Sequence, residues 1–146
     1  MKVTRVYADK NGESHFDDVE IPLSDAGTIG RLSEPVAAHA VIFRETSPDY
    51  DYDWHHAPRR QYVVLLDGEI ELEVSDGEKR RMKGGEILLL EDTFGKGHRT
   101  RSIGDKPRRS LFIALPENQS NGDVVGEAGR ESFPASDPPA WTGTST

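Results

Sequence analysis

Residues 69 to 74 read EIELEV, and this alternation constrains the fold more than any other stretch. Successive side chains of a strand point to opposite faces. Ile70, Leu72 and Val74 therefore share one face, and Glu69, Glu71 and Glu73 the other. A helix would scatter both sets around its axis, so the segment is a strand with one buried and one wet face. Asp67-Gly68 precedes it and Asp76-Gly77 follows it. Both dipeptides favour the positive-φ turns that join antiparallel strands. The sequence predicts a hairpin from RQYVVLL into EIELEV and a second from EIELEV into EKRRMK.

The rest of the chain continues in this manner. Gly84-Gly85 turns into EILLL, whose unbroken apolar character predicts burial on both faces. KVTRVYA, VAAHAVIFRET, HRTRSIG and RRSLFIAL complete the strands, and no stretch carries a long, capped helical pattern. Many short strands with Gly-rich turns predict an all-β barrel or sandwich.

Composition narrows the function. With 146 residues the chain suits one domain with a real core. It has no cysteine, which excludes disulfides, thiolate metal sites and cysteine nucleophiles. Any metal must be held by His, Asp, Glu or Gln. The formal net charge of -8 argues against nucleic acid as a partner. EKRRMK and KGHRTRS read as solvated basic faces. No apolar run is long enough to span a membrane. The opening MKVTRVYADKNGESHF lacks the apolar stretch of a signal peptide, so a cytoplasmic location is expected and the sequon at Asn118 carries no weight. No phosphate-binding loop or serine nucleophile elbow is visible. From Pro116 the sequence becomes rich in Gly, Pro, Ser and Thr. Residues 1–115 are thus expected to form the domain and 116–146 an extension. Phe133 and Trp141 are its large anchors, leaving a docked and a loose tail both open.

The histidines supply the chemistry. In HHAPRRQYVVLL, Gln61, Val63 and Leu65 share one face of a strand, and the same parity carried backward reaches Arg59, Ala57 and His55. His56 falls on the other parity unless a bulge near Pro58 shifts the phase. His98 opens a later strand after Gly95-Lys96-Gly97. If that strand lies close to the first, His98 meets His55 and Gln61. Thr100 shares parity with His98, and Arg59 is placed to offer a guanidinium to a carboxylate. Arg60 should point outward to a surface ion pair, and Tyr62 and Trp54 read as packing residues. Glu91 and Asp92 follow the buried strand, either capping a turn or approaching the site as a base. His15 and His39 read as ordinary surface or half-buried residues.

These residues resemble the cupin family. Its first motif has His-x-His, three or four residues, Glu, six residues and Gly; here six residues separate Gln61, in the place of that Glu, from Gly68. With the shorter spacing His55 is the first histidine and Ala57 holds the place of the second. With the longer, His56 is the second and Trp54 replaces the first. The second motif ends in Gly-x-x-His, kept as Gly95 to His98; Thr93 stands for its Pro and Ser102 for its Asn. The resemblance runs from Val36 to Leu115. It implies a jelly-roll β-barrel and a barrel-mouth site in which His55, Gln61 and His98 hold a divalent transition metal such as Fe, Mn, Zn or Ni. Arg59 and Thr100 would contact a small organic anion.

Several readings stay open at this point. The metal site would be neutral, lacking the usual carboxylate, and would bind more weakly than a three-His, one-Glu set. Otherwise the same residues simply form hydrogen bonds around a cavity. An enzyme of dioxygenase, isomerase or lyase type stands beside a non-catalytic sensor or carrier, and beside an interaction module acting through the tail. A homodimer is expected, since exposed sheet edges need covering.

Overall fold

The computed structural model describes residues 1–117. Most of the C-terminal extension, with Phe133 and Trp141, lies outside the described residues. The strands are β1 (Lys2–Ala8), β2 (Ser14–Glu20), β3 (Ser24–Asp25), β4 (Arg31–Leu32), β5 (Ala40–Thr46), β6 (Asp51–His55), β7 (Gln61–Leu65), β8 (Glu69–Val74), β9 (Lys79–Lys83), β10 (Ile87–Leu90), β11 (His98–Ile103) and β12 (Arg108–Ala114). One 3-10 turn, Gly27–Ile29, is the helical content among the described residues.

The strands from β5 onward pair as nested antiparallel hairpins. β8 pairs with β9, β7 with β10, β6 with β11, and β5 with β12. Lateral pairings of β12 with β7 and of β11 with β8 roll this long hairpin into two sheets. Their orders are β5-β12-β7-β10 and β6-β11-β8-β9, with β1 and β2 added beyond β10 on the first. Two four-stranded sheets wound from nested hairpins make a jelly roll.

Register explains what fills the space between the sheets. Val63 lies beside Leu88 and Phe112, and Leu65 beside Ser110, all on the inner face. Opposite them stand Ile70, Leu72 and Val74, each at most 3% exposed, as the EIELEV pattern requires. In EILLL, Leu88 and Leu90 join this core, while Leu89 turns outward into a second cluster with Val3 and Leu115. The unbroken apolar run is therefore buried on both faces.

Two turns need comment. Asp76-Gly77 closes the expected β8–β9 hairpin, with Val74 N–H donating to the Glu78 carbonyl at 3.0 Å. Asp67-Gly68 does not make a hairpin: β7 and β8 lie in different sheets, and the dipeptide turns the corner between them. Asp67 accepts hydrogen bonds from the backbone N–H and Nε of Arg109, at 2.7 and 2.8 Å, which anchors that corner to β12. A local turn signal reports a change of direction, not which strand will be the neighbour.

His15 on β2 is more than an ordinary surface residue. Its ring joins Asp9 and Asp76, both at 2.8 Å, and so ties the β1–β2 hairpin to the β8–β9 turn. Hydrogen bonds to Asp9 and then Asp76 raise its pKa above the ordinary 6.5. Because the folded-state value is raised, the contribution is complete below pH 6.5 and fades as pH climbs through the raised value. Asp9 and Asp76, held below 3.8 chiefly by the His15 and Glu78 hydrogen bonds respectively, lose their share in acid. The melting-temperature advantage of the parent over His15→Gln should therefore be present in mildly acidic buffer and vanish at alkaline pH. A difference that stays constant from about pH 5 to about pH 9 would rule this linkage out.

Candidate functional site

A cavity of about 470 Å³ lies between the two sheets. Val63, Leu65, Ile70, Leu72, Leu88 and Phe112 line its middle. It opens between the edge strands β5 and β6, where Arg44 and Tyr52 both line it and are exposed. All five residues singled out in the sequence, His55, Arg59, Gln61, His98 and Thr100, line this cavity.

A bulge in β6 brings its side chains there. His98 pairs with His55 and Thr100 with Tyr52, so two residues of β11 span three of β6. The extra residue shifts the phase, and Tyr52 and His55 face the same interior although their numbers differ by an odd count. His55 stacks on Tyr52 with ring centroids 3.9 Å apart and meets His98 at 4.5 Å. The strand parity extrapolated from β7 gives the right side for His55, but the bulge is what puts it there. The backbone between β6 and β7 is not extended strand. His56 reaches the cavity rim and is exposed.

Glycines make the approach of β11 to β6 feasible. Gly97 has φ +77°, and a Cβ there would sit 2.2 Å from the His55 carbonyl oxygen. Gly95, at φ +87°, presses on the Gly12 turn with 2.4 Å from an added Cβ to the Gly12 oxygen. Ser14 Oγ donates to the Gly97 carbonyl at 2.6 Å. The Gly-x-Gly-His stretch is thus a backbone seam that only residues without side chains can close.

Proton positions follow from the partners. His55 Nδ1 lies 2.8 Å from the Asp53 carbonyl, which can only accept, so Nδ1 carries the proton and Nε2 keeps its lone pair. Burial holds the His55 pKa below its ordinary value. His98 Nδ1 lies 2.6 Å from Asp92 Oδ2, within a fully buried pair. The carboxylate fixes the tautomer and leaves Nε2 to the cavity. Gln61 is 2% exposed, and its Oε1 is buried without a hydrogen-bond partner.

This donor set suits a divalent cation. Two imidazoles ligating one ion at right angles, through nitrogens about 2.1 Å away, would have centroids about 4.5 Å apart. The observed separation of His55 and His98 is 4.5 Å. An orphaned amide oxygen in the same cavity offers a third, hard donor. Among the described residues no group of three His, Asp or Glu side chains is arranged to hold a metal, so Gln61 would have to complete the set.

The acidic pair after β10 divides its labour. Asp92 orients His98 and accepts the Ala57 backbone N–H at its own carbonyl. Glu91 turns away to Arg5 and Arg60, at 2.6 and 2.8 Å. Burial raises the Glu91 pKa, but the hydrogen bonds from Arg5 and Arg60 outweigh it and the net shift is downward. Asp92 was legible as a carboxylate near the mouth, but its histidine partner was not, because they meet across a turn.

Two further cavity residues have no counterpart in the sequence motifs. Arg44 on β5 and Arg108 on β12 point inward from adjacent strands. Their guanidinium carbons stand 5.4 and 5.2 Å from the centre of the Tyr50 ring, and Arg44 also stacks on Phe112. Arg108 is only 6% exposed. Inward parity beside apolar neighbours was the available signal, and two charged residues in a core-facing pattern are easily passed over.

No protein-family model matches the chain. It is 36% identical over 119 residues to Oryzines biosynthesis cluster protein J of Aspergillus oryzae, covering 73% of this chain and 65% of that one. It is 30% identical over 78 residues to protein YdbB of Bacillus subtilis, covering 53% and 64%. The chain thus spans just under two thirds of each of these relatives. Similar solved structures include the Schizosaccharomyces pombe Cnp3 cupin domain, at 17% identity and TM-score 0.47 over 91% of this chain and 97% of that one. A cupin-2 domain protein of Shewanella frigidimarina matches at 17% identity and TM-score 0.40 over 56% and 78%.

The seam at Gly97 generates a test. Gly77, at φ +103°, has nothing within 4 Å of an added Cβ, so Gly77→Ala carries backbone strain alone. Gly97→Ala adds a clash with backbone and should destabilise by at least about 2 kcal/mol more in denaturant unfolding. Equal losses in the two variants would mean that the seam is loose. The nested hairpins, the two sheet orders and the motif residues gathered on one inter-sheet cavity give this chain the cupin fold.

Proposed function

We propose that the cavity binds a small organic anion at a divalent transition metal held by His55, Gln61 and His98. The observation that carries this reading is Gln61 Oε1, a buried acceptor left without a partner in the cavity that His55 and His98 also line. Leaving such an oxygen unpaired costs about 1–3 kcal/mol, which a ligand would recover. A cation bound there supplies Lewis acidity toward a substrate oxygen.

The chain's own residues account for the rest. Asp92 and the Asp53 carbonyl aim the two imidazoles. Thr100 and Arg59, which line the cavity, are placed to contact the anion. The apolar middle excludes water and accepts a carbon skeleton. Likeness to a protein of a fungal biosynthesis cluster supports the use of a small organic molecule as ligand.

A metal-free carrier or sensor is the second reading. One observation favours it: the neutral donor set lacks any carboxylate. Elemental analysis of untagged protein separates the two. On the metal reading the parent holds near-stoichiometric Fe, Mn, Zn or Ni, and His98→Ala loses it. Gln61→Glu should then tighten metal binding by about tenfold or more, because a carboxylate offsets cation charge. A parent that is metal-free and cannot be reloaded, with Gln61→Glu merely less stable, would sink the metal reading in favour of the carrier.

A further inference from the structure

Most arginines among the described residues sit beside carboxylates, and Arg31 donates to the Leu23 carbonyl. Arg5, Arg60, Arg80, Arg81, Arg99, Arg101 and Arg109 all have an Asp or Glu oxygen within 4 Å. Arg44 and Arg108 both lie over the Tyr50 ring instead, and their close contacts are aromatic. Arg108 is 6% exposed, lines the cavity and keeps Nη1 buried with no hydrogen-bond partner. Thr46, opposite it on β5, likewise has a buried Oγ1 without a partner. Gly68 makes room for this arrangement, since a Cβ there would lie 2.8 Å from Arg108 Cβ. Two like charges, one of them desolvated, repel each other and oppose the fold. An anion placed between them removes both penalties.

The strand register locates this pair relative to the histidines. Gln61 stands beside Ala114, and Leu65 beside Ser110, which is paired to Arg44. Four residues of strand, about 13 Å of backbone, separate Gln61 from the level of Arg44, and Arg108 lies two residues further along, beside Thr46. Val63, Phe112, Ile42 and Leu72 line the stretch between them.

We propose that Arg44 and Arg108 form an oxyanion clamp and that the ligand is an amphipathic carboxylic acid, its carboxylate on the arginines and its carbon body on this apolar stretch. The proposal goes beyond the reading above: it sets the carboxylate on the arginines, away from the histidines, and does not need the metal. A carboxylate fits better than free phosphate, because an inorganic ion would leave the apolar wall uncovered.

The test is titration calorimetry on the full chain, metal-stripped and metal-loaded, with 3-phenylpropanoate, 3-phenylpropanamide, acetate and inorganic phosphate. Phenylpropanoate should bind metal-stripped parent and His98→Ala alike, at least about tenfold tighter than its amide, acetate or phosphate. Arg44→Gln, an exposed position, should lose about tenfold for the acid and little for the amide. Arg108→Met should do the same, and its apo form should melt higher than the parent because an uncompensated buried charge is gone. Equal binding of acid and amide in the parent would overturn the clamp without recourse to any variant. So would binding that requires metal and ignores both arginine substitutions, which places the carboxylate at the histidines. Phosphate binding as tightly as phenylpropanoate would overturn the ligand class. Absence of metal in the parent would remove the cation of the previous section and leave every one of these comparisons readable.

Discussion

The contact on which the site depends is the backbone seam between β11 and β6. Gly97 lies against the carbonyl of His55 so closely that no side chain fits, and His98, the next residue, pairs directly with His55. From this one approach the rest follows. Ser14 Oγ holds the Gly97 carbonyl from below and links the first hairpin to the seam. Asp92 reaches His98 across the intervening turn, while its own carbonyl receives the Ala57 N–H and fixes the run into β7. Gln61, the first residue of β7, is thereby brought to the cavity that the histidines line. The site is assembled by main-chain fit first and by side-chain hydrogen bonds second. That order suits a centre whose members come from four different strands and turns.

The electrostatics of the chain run opposite outside and inside. Its net charge is -8, yet its cavity is lined by Arg44, Arg59 and Arg108 and by imidazoles, and among the described residues the one buried carboxylate, Asp92, is bonded to a histidine. Glu69, Glu71 and Glu73 take the outward face of β8, opposite Lys83, Arg81 and Lys79 on β9. Such a distribution places positive charge where solvent is scarce and interactions are strong. Burial and the neighbouring Arg44 both lower the Arg108 pKa, but a guanidinium stays charged. Its charge must therefore be met by a ligand or tolerated as strain.

What the sequence disclosed and what it withheld divide along a physical line. Period-two alternation is a local property, so Ile70, Leu72 and Val74 could be placed inward from the six residues EIELEV alone. Motif spacing pointed to His55, Gln61 and His98, and strand parity brought them to one cavity; His98 also stands next to a turn whose glycines show in the sequence. Non-local facts were out of reach. β6, DYDWH, is too polar to read as a strand and owes its existence to β11. Its bulge, which decides between the two histidines, is a misfit between partners and cannot be seen in either one. The corner at Asp67-Gly68 looked like a hairpin because a turn signal does not name a partner. Arg44 and Arg108 were missed for a related reason: charge at an inward position contradicts the pattern rule, and only the paired strands show that both charges share one ring.

That contradiction has its own meaning. A sequence that obeys local rules elsewhere and breaks them at a few positions marks the places where stability gives way to function. Here the breaks are Gln61, a buried amide with an orphaned oxygen, and Arg108, a buried guanidinium with an unpaired nitrogen. They stand on adjacent strands, near opposite ends of the same cavity. Each alone is a defect of about 1–3 kcal/mol or more, since an unpaired buried polar group keeps its full desolvation penalty. Their chemistry is complementary, an acceptor at one end and a donor at the other. A cation at Gln61 would be repelled by the arginines unless an anion lay between, and an anion at the arginines would be drawn by such a cation. If both sites are used, linkage requires that occupancy of either favours the other. The glutamine then has a reason to stand where a glutamate would otherwise be expected. A carboxylate would satisfy the metal from within and could draw the arginines itself, weakening the demand for an external anion, whereas a neutral amide leaves the whole of that demand to the ligand.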